Sequence, residues 1–111
     1  MAHSKERFAS FLKKELGIFL SRHFPHDPDV FLSVVSASPD ESSERAKIYI
    51  AVFPESRSSE IWKELKFYQK DAKKYLAERI KRRRVPQIIF LPVNAENIVR
   101  LEKLLEKVKN E

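Results

Sequence analysis

The residues of this chain that could do chemistry are cations. Between Lys63 and Arg84 it carries ten lysines and arginines against three acids, Glu64, Asp71 and Glu78, a local charge of +7. The whole chain is +6, so the remainder sums to −1 and the basicity belongs to one segment. Lys63, Lys66, Lys70, Lys73, Lys74 and Lys81 keep a helical period and lead into Lys81-Arg82-Arg83-Arg84. Cations at a helix end interact well with its dipole, but four in a row exceed what capping needs. Phosphate is the economical partner, because lysine supplies a point charge and arginine a bidentate fork. A basic amphipathic helix could also lie on a membrane. Here the apolar stripe is needed for the core, and Trp62 stands as the one large apolar residue outside it.

Catalytic chemistry has little to draw on. The chain has no cysteine, one glycine (Gly17) and three histidines, His3, His23 and His26. Thiol catalysis, disulfides and glycine-rich phosphate loops are thereby excluded. His23, His26 and Asp27 lack a fourth ligand at a known metal spacing, so no metal and no cofactor is expected. Glu64, Asp71 and Glu78 recur every two helical turns, about 10 Å apart, too far for paired acid–base work. They read as charge balance along a helix. Trp62, Tyr75 and Tyr49 could stack on bases but read better as core or rim aromatics.

The elements that position the basic segment follow from periodicity. Ser4 reads as an N-cap before a stripe of Phe8, Phe11, Leu12, Leu16, Phe19 and Leu20, a helix ending near Arg22 ahead of Pro25 and Pro28. Gly17 lies inside it, so either the stripe packs strongly enough to tolerate a glycine or another backbone approaches there. Val30–Ala37 and Arg45–Phe53 read as strands joined by polar turn residues, hence an antiparallel hairpin. Ile61, Leu65, Tyr68, Ala72, Leu76 and Ile80 predict a long helix from Ser58 to Arg83, roughly 38 Å if continuous at 1.5 Å per residue. Val85 precedes Pro86, is pushed out of helical geometry, and opens a third strand to Leu91. Asn94 caps a last helix, about 94–110, with Ile98, Leu101, Leu105 and Val108 on one face. The reading is one α+β domain over 1–111, a two-layer α/β sandwich with helices on one face of the sheet. No apolar run approaches membrane-spanning length and the N-terminus lacks a secretory stretch, so a cytoplasmic protein is expected.

Five segments resemble the ribosome-binding factor A family, a type II KH-like fold (α-β-β-α-β), here with an added C-terminal helix. They are Arg7 with Leu12, Leu16 and Leu20 on the first helix; Asp27-Pro28; Ser38-Pro39-Asp40; Ala46-Lys47-Ile48-Tyr49-Ile50; and Arg83-Arg84-Val85-Pro86-Gln87-Ile88-Ile89-Phe90. They occur in family order over about residues 5–91. In place of the KH Gly-x-x-Gly loop the family has an Ala-x-Gly helical kink. Here that position falls on Tyr68-Gln69-Lys70, without glycine, and the family's Asp-x-Ser after the third strand is replaced around Pro92-Val93-Asn94.

The resemblance implies a non-enzymatic, monomeric factor without cofactor. Its partners would be 16S rRNA and the immature 30S subunit, with a role in late maturation near the rRNA 5′ end and in growth in the cold. The cations assigned to phosphate contact are Lys70, Lys73, Lys74, Lys81, Arg82, Arg83 and Arg84, then Arg7, Lys13 and Lys14. A protein-interaction module using the sheet or the last helix, or an RNA-binding module not dedicated to the ribosome, is the alternative.

Overall fold

A computed structural model describes residues 2–24, 27–42, 44–80 and 84–93. Their order is α1 (Ala2–His23), β1 (Phe31–Pro39), β2 (Arg45–Phe53), α2 (Ser58–Leu65), α3 (Gln69–Arg79) and β3 (Gln87–Pro92), with 3₁₀ turns at Glu55–Arg57 and Lys66–Tyr68. The sheet runs β1-β2-β3. β1 and β2 form the expected antiparallel hairpin, with an irregularity between Val34 and Ser36. β3 joins β2 in parallel, Arg45 opposite Gln87 and Ile50 opposite Pro92. A parallel pair needs a crossover, and α2 and α3 supply it. The last helix, 94–110, lies outside the described residues.

Alternation in β2 sends Ala46, Ile48 and Ile50 into the core, joined by Ile88 and Phe90 from β3. Leu12, Leu16, Phe19 and Leu20 of α1 and Ile61, Leu65, Ala72 and Leu76 of α2 and α3 close over them. All helices described cover this one face, giving the two layers expected. The register sets the opposite face: Phe31 beside Phe53 and Ser38 beside Lys47 on the hairpin, with Tyr49 beside Leu91 next to β3.

Several boundaries differ from the sequence expectation. α1 starts at Ala2, so Ser4 is inside the helix and is not its N-cap. β1 runs two residues beyond Ala37 because the hairpin ladder continues through Ser38 and Pro39. The Asp40 carboxylate then accepts hydrogen bonds from Glu44 N (3.0 Å) and Ser42 Oγ (3.1 Å), closing the turn. β3 starts at Gln87 and not Val85. Pro86 has no N–H to offer a ladder, and the first bond is Gln87 N to Glu44 O at 2.8 Å.

The largest difference is the long helix, which is interrupted. The 3₁₀ turn at Lys66–Tyr68 breaks it, and Tyr68 adopts φ −91°, ψ −4°. Contacts on both sides pin the turn. The Tyr68 ring packs against Phe24 with centroids 5.2 Å apart, and Phe90 N donates to Gln69 Oε1 at 2.9 Å. α3 then stops at Arg79, because Ile80 is extended at φ −98°, ψ 123° as the chain turns back toward β3.

A second tie holds the segment between α1 and β1. Arg57 bonds Asp27 Oδ2 at 2.6 Å and also pairs with Glu60. The Asp29 N–H, then Arg57, hold the Asp27 carboxyl below the usual aspartate range.

Gly17 resolves in favour of a helix strong enough to tolerate it. A Cβ there would meet nothing within 4 Å, and the residue lines a hollow of about 270 Å³ with Leu20, Phe24, Leu32 and Val34. Gly17→Ala is therefore expected to stabilise the fold by about 0.5–1 kcal/mol. That should raise the thermal midpoint by a few degrees, and a lowered midpoint would show that the hollow closes in solution.

Candidate nucleic-acid interface

The helix break and the outer edge of β3 enclose a cleft of about 300 Å³. Lys66 and Phe67 come from the 3₁₀ turn, Gln69, Lys70 and Lys73 from the first turns of α3, and Gln87 and Ile88 from β3. The break makes this geometry. It lets α2 keep Ile61 and Leu65 in the core while α3 starts against β3, where Gln69 satisfies the edge amide of Phe90. Lys66, Lys70 and Lys73 stand at i, i+4 and i+7, successive positions along one helical ridge. All three are exposed, and no carboxylate lines the cleft. The arrangement is a compact positive site that also presents apolar surface from Phe67 and Ile88, with lysines suited to a phosphate backbone.

The structure divides the cations that the sequence grouped. Lys70 and Lys73 line the cleft; Lys74 is exposed on α3 but does not. Lys81, Arg82 and Arg83 lie outside the described residues. The last described helical residue before them is Arg79. Arg84 sits in the extended approach to β3, 78% exposed, with its guanidinium 3.7 Å from Glu44 at the hairpin turn. Arg7, Lys13 and Lys14 are exposed on α1. α1 packs over β1 whereas α3 packs over β3, and none of the three lines the cleft.

The other candidates are structural. Tyr75 is buried, donates from its hydroxyl to Glu15 at 3.3 Å, and lies under the Arg79 guanidinium at 4.2 Å. His23 packs its ring against Phe19 and Tyr75. Trp62 is half-buried against the core. Asp27 is engaged by Arg57. No helix among the described residues is long and apolar enough to cross a membrane.

Sequence reasoning left five cleft residues out of the contact set: Lys66, Phe67, Gln69, Gln87 and Ile88. Lys66 was legible as part of the lysine period. Contrary to the expectation that Trp62 is the one large apolar residue outside the buried stripe, Phe67 also lies outside it and is 81% exposed. Its position two residues after Leu65, off the stripe, is the signal that finds it. Gln87 carries no signal until β3 is placed against α3.

No family model matches the chain. It is similar to the ribosome-binding factor A of Cytophaga hutchinsonii, 34% identical over 94% of this chain and 81% of that one. It is also similar to that of Chlorobium phaeobacteroides, 30% identical over 100% of this chain and 98% of the relative. Among solved structures, the crystal structure of ribosome-binding factor A from Thermus thermophilus superposes with a TM-score of 0.66 at 24% identity, covering 79% of this chain and 93% of that one. A Thermus thermophilus ribosome-binding factor A homology model, fitted into a cryo-electron microscopy map of its complex with the 30S subunit, gives 0.62 at 25% identity over 75% and 88%.

Proposed function

The chain belongs to the ribosome-binding factor A family, and from that premise we propose that it is a small-subunit assembly factor that binds 16S rRNA on the immature 30S particle. The family is one of non-enzymatic ribosome-binding factors, so its work is binding. The observation that carries the proposal is the cleft beside β3, with Lys66, Lys70 and Lys73 and no carboxylate among its lining residues. It adjoins Tyr68-Gln69-Lys70, the segment that the family resemblance sets in place of the KH Gly-x-x-Gly loop, a loop that clamps about four nucleotides. The Thermus relative's complex with the 30S subunit supports the same partner. A cytoplasmic monomer acting late, near the 5′ end of 16S rRNA and needed for growth in the cold, completes the reading.

Sedimentation tests it. The purified chain is expected to travel with small subunits through a sucrose gradient at low salt. Between about 50 and 200 mM salt it should be progressively released, since each neutralised phosphate costs roughly 0.7–0.9 in log K per log unit of salt. Absence from subunit fractions at low salt would sink the proposal.

One observation favours a protein contact as well. Phe31 and Phe53, register partners on the open sheet face, are 64% and 59% exposed. A ribosomal-protein contact there would persist after nuclease treatment of the complex.

A further inference from the structure

We propose that Phe67 is a stacking platform for an unpaired RNA base, so that the cleft takes single-stranded and not duplex RNA; this rests on the RNA-binding reading above. Three large aromatic side chains are more than half exposed among the described residues. Phe31 and Phe53 are neighbours on the open sheet face, whereas Phe67 stands in the cleft with Lys66, Lys70 and Lys73.

The fold does not need a phenylalanine there. Leu65 and Tyr68, on either side of the Lys66–Phe67 step, supply the packing: Leu65 is fully buried, and the Tyr68 ring rests on Phe24. A ring that is 81% exposed contributes little burial to the core. A flat apolar ring in a cleft shared with three lysines does suit a nucleotide, whose base stacks while its phosphate meets the lysines. The base edge then faces Gln87, exposed at the first position of β3, and its carboxamide can both donate to and accept from that edge. The Gln69 carboxamide oxygen is occupied by Phe90 N. A base pair inside a helix offers no free face to such a ring, which is why the ligand must be unpaired. Three lysines without a carboxylate also favour a polyanion over an apolar protein segment.

The step from Gly-x-x-Gly to this segment has a physical reading. Glycine lets a KH loop bring its backbone against phosphates. In a glycine-free 3₁₀ turn side chains take over, with lysine for phosphate and phenylalanine for base.

The test uses the full chain with a fluorescently labelled mixed-sequence RNA of about ten nucleotides, single-stranded or annealed to its complement. Phe67→Ala should bind the single strand about tenfold or more weakly, as loss of one stacked base predicts. Its salt slope and duplex affinity should be those of the parent. Phe67→Trp should bind as the parent does and show quenching absent from the parent's Trp62. If the parent binds single strands and Phe67→Ala matches it, stacking is wrong and the RNA reading survives. If Phe67→Ala loses only binding to subunits that resists nuclease, the ring contacts protein and the proposal falls. If the parent binds neither RNA at low salt, the RNA reading itself fails.

Discussion

Alanine at Lys66, Lys70 and Lys73 together is expected to weaken binding to small-subunit rRNA by about two orders of magnitude at roughly 0.1 M salt. The figure follows from counterion release, with each lost phosphate contact removing about 0.7–0.9 from the slope of log K against log salt. Three contacts remove about 2–2.7, and at one decade below 1 M salt the loss in log K is that same number. All three side chains are exposed, so the variant should fold with stability within about 0.5 kcal/mol of the parent. The comparison is Arg7, Lys13 and Lys14 replaced together, which removes the same charge from α1. If the cleft is the site, that variant loses far less and keeps most of the slope. Equal losses from both would mean that the chain binds by bulk charge and that the cleft has no special standing. Anisotropy titrations at several salt concentrations read both quantities.

The contrast between those two sets of cations shows what the sequence could and could not reveal. β2 was legible to the residue, because strict alternation from Arg45 to Phe53 marks a strand with one buried face. The class followed, since a helix, a hairpin, a helical segment and a strand leave few ways to bury their apolar faces. The break at Lys66–Tyr68 was not legible from periodicity. Ile61, Leu65, Tyr68, Ala72 and Leu76 keep three- and four-residue spacing whether the helix bends or not. What bends it is tertiary, namely Tyr68 against Phe24 and Gln69 against the β3 edge, contacts between residues 44 and 21 positions apart in the chain. The resemblance marked Tyr68–Lys70 as the family's kink position but, with glycine absent, left open a kink or a straighter helix; the structure has a 3₁₀ turn at Lys66–Tyr68. The site inherits this. A lysine period predicts a charged face but not which lysines look into a cleft, since that depends on where the break aims α3. The same holds at its far end, where Ile80 turns extended although the charge run continues.

Leu65→Ala is expected to be among the most damaging single changes in the chain, costing about 2–5 kcal/mol. Leu65 is fully buried and is the last residue of α2, directly before the turn that opens the cleft. Truncation removes its burial and leaves a cavity that the surrounding side chains fill only in part. Against a total stability of about 5–15 kcal/mol, the thermal midpoint should fall by roughly 10–20 °C. Leu65→Met, which nearly conserves volume, should cost less than about 1.5 kcal/mol. Leu16→Ala is the informative partner, because Leu16 is equally buried but belongs to α1, away from the break. Both alanine variants should show a lowered urea midpoint with an unchanged slope. At a temperature where both remain folded, Leu65→Ala alone should also weaken RNA binding. With the side chain before the turn gone, Lys66 and Phe67 are no longer held over the β3 edge. Were the two variants to bind RNA equally well, the break would be fixed by Tyr68 and Gln69 alone, and Leu65 would serve only the core.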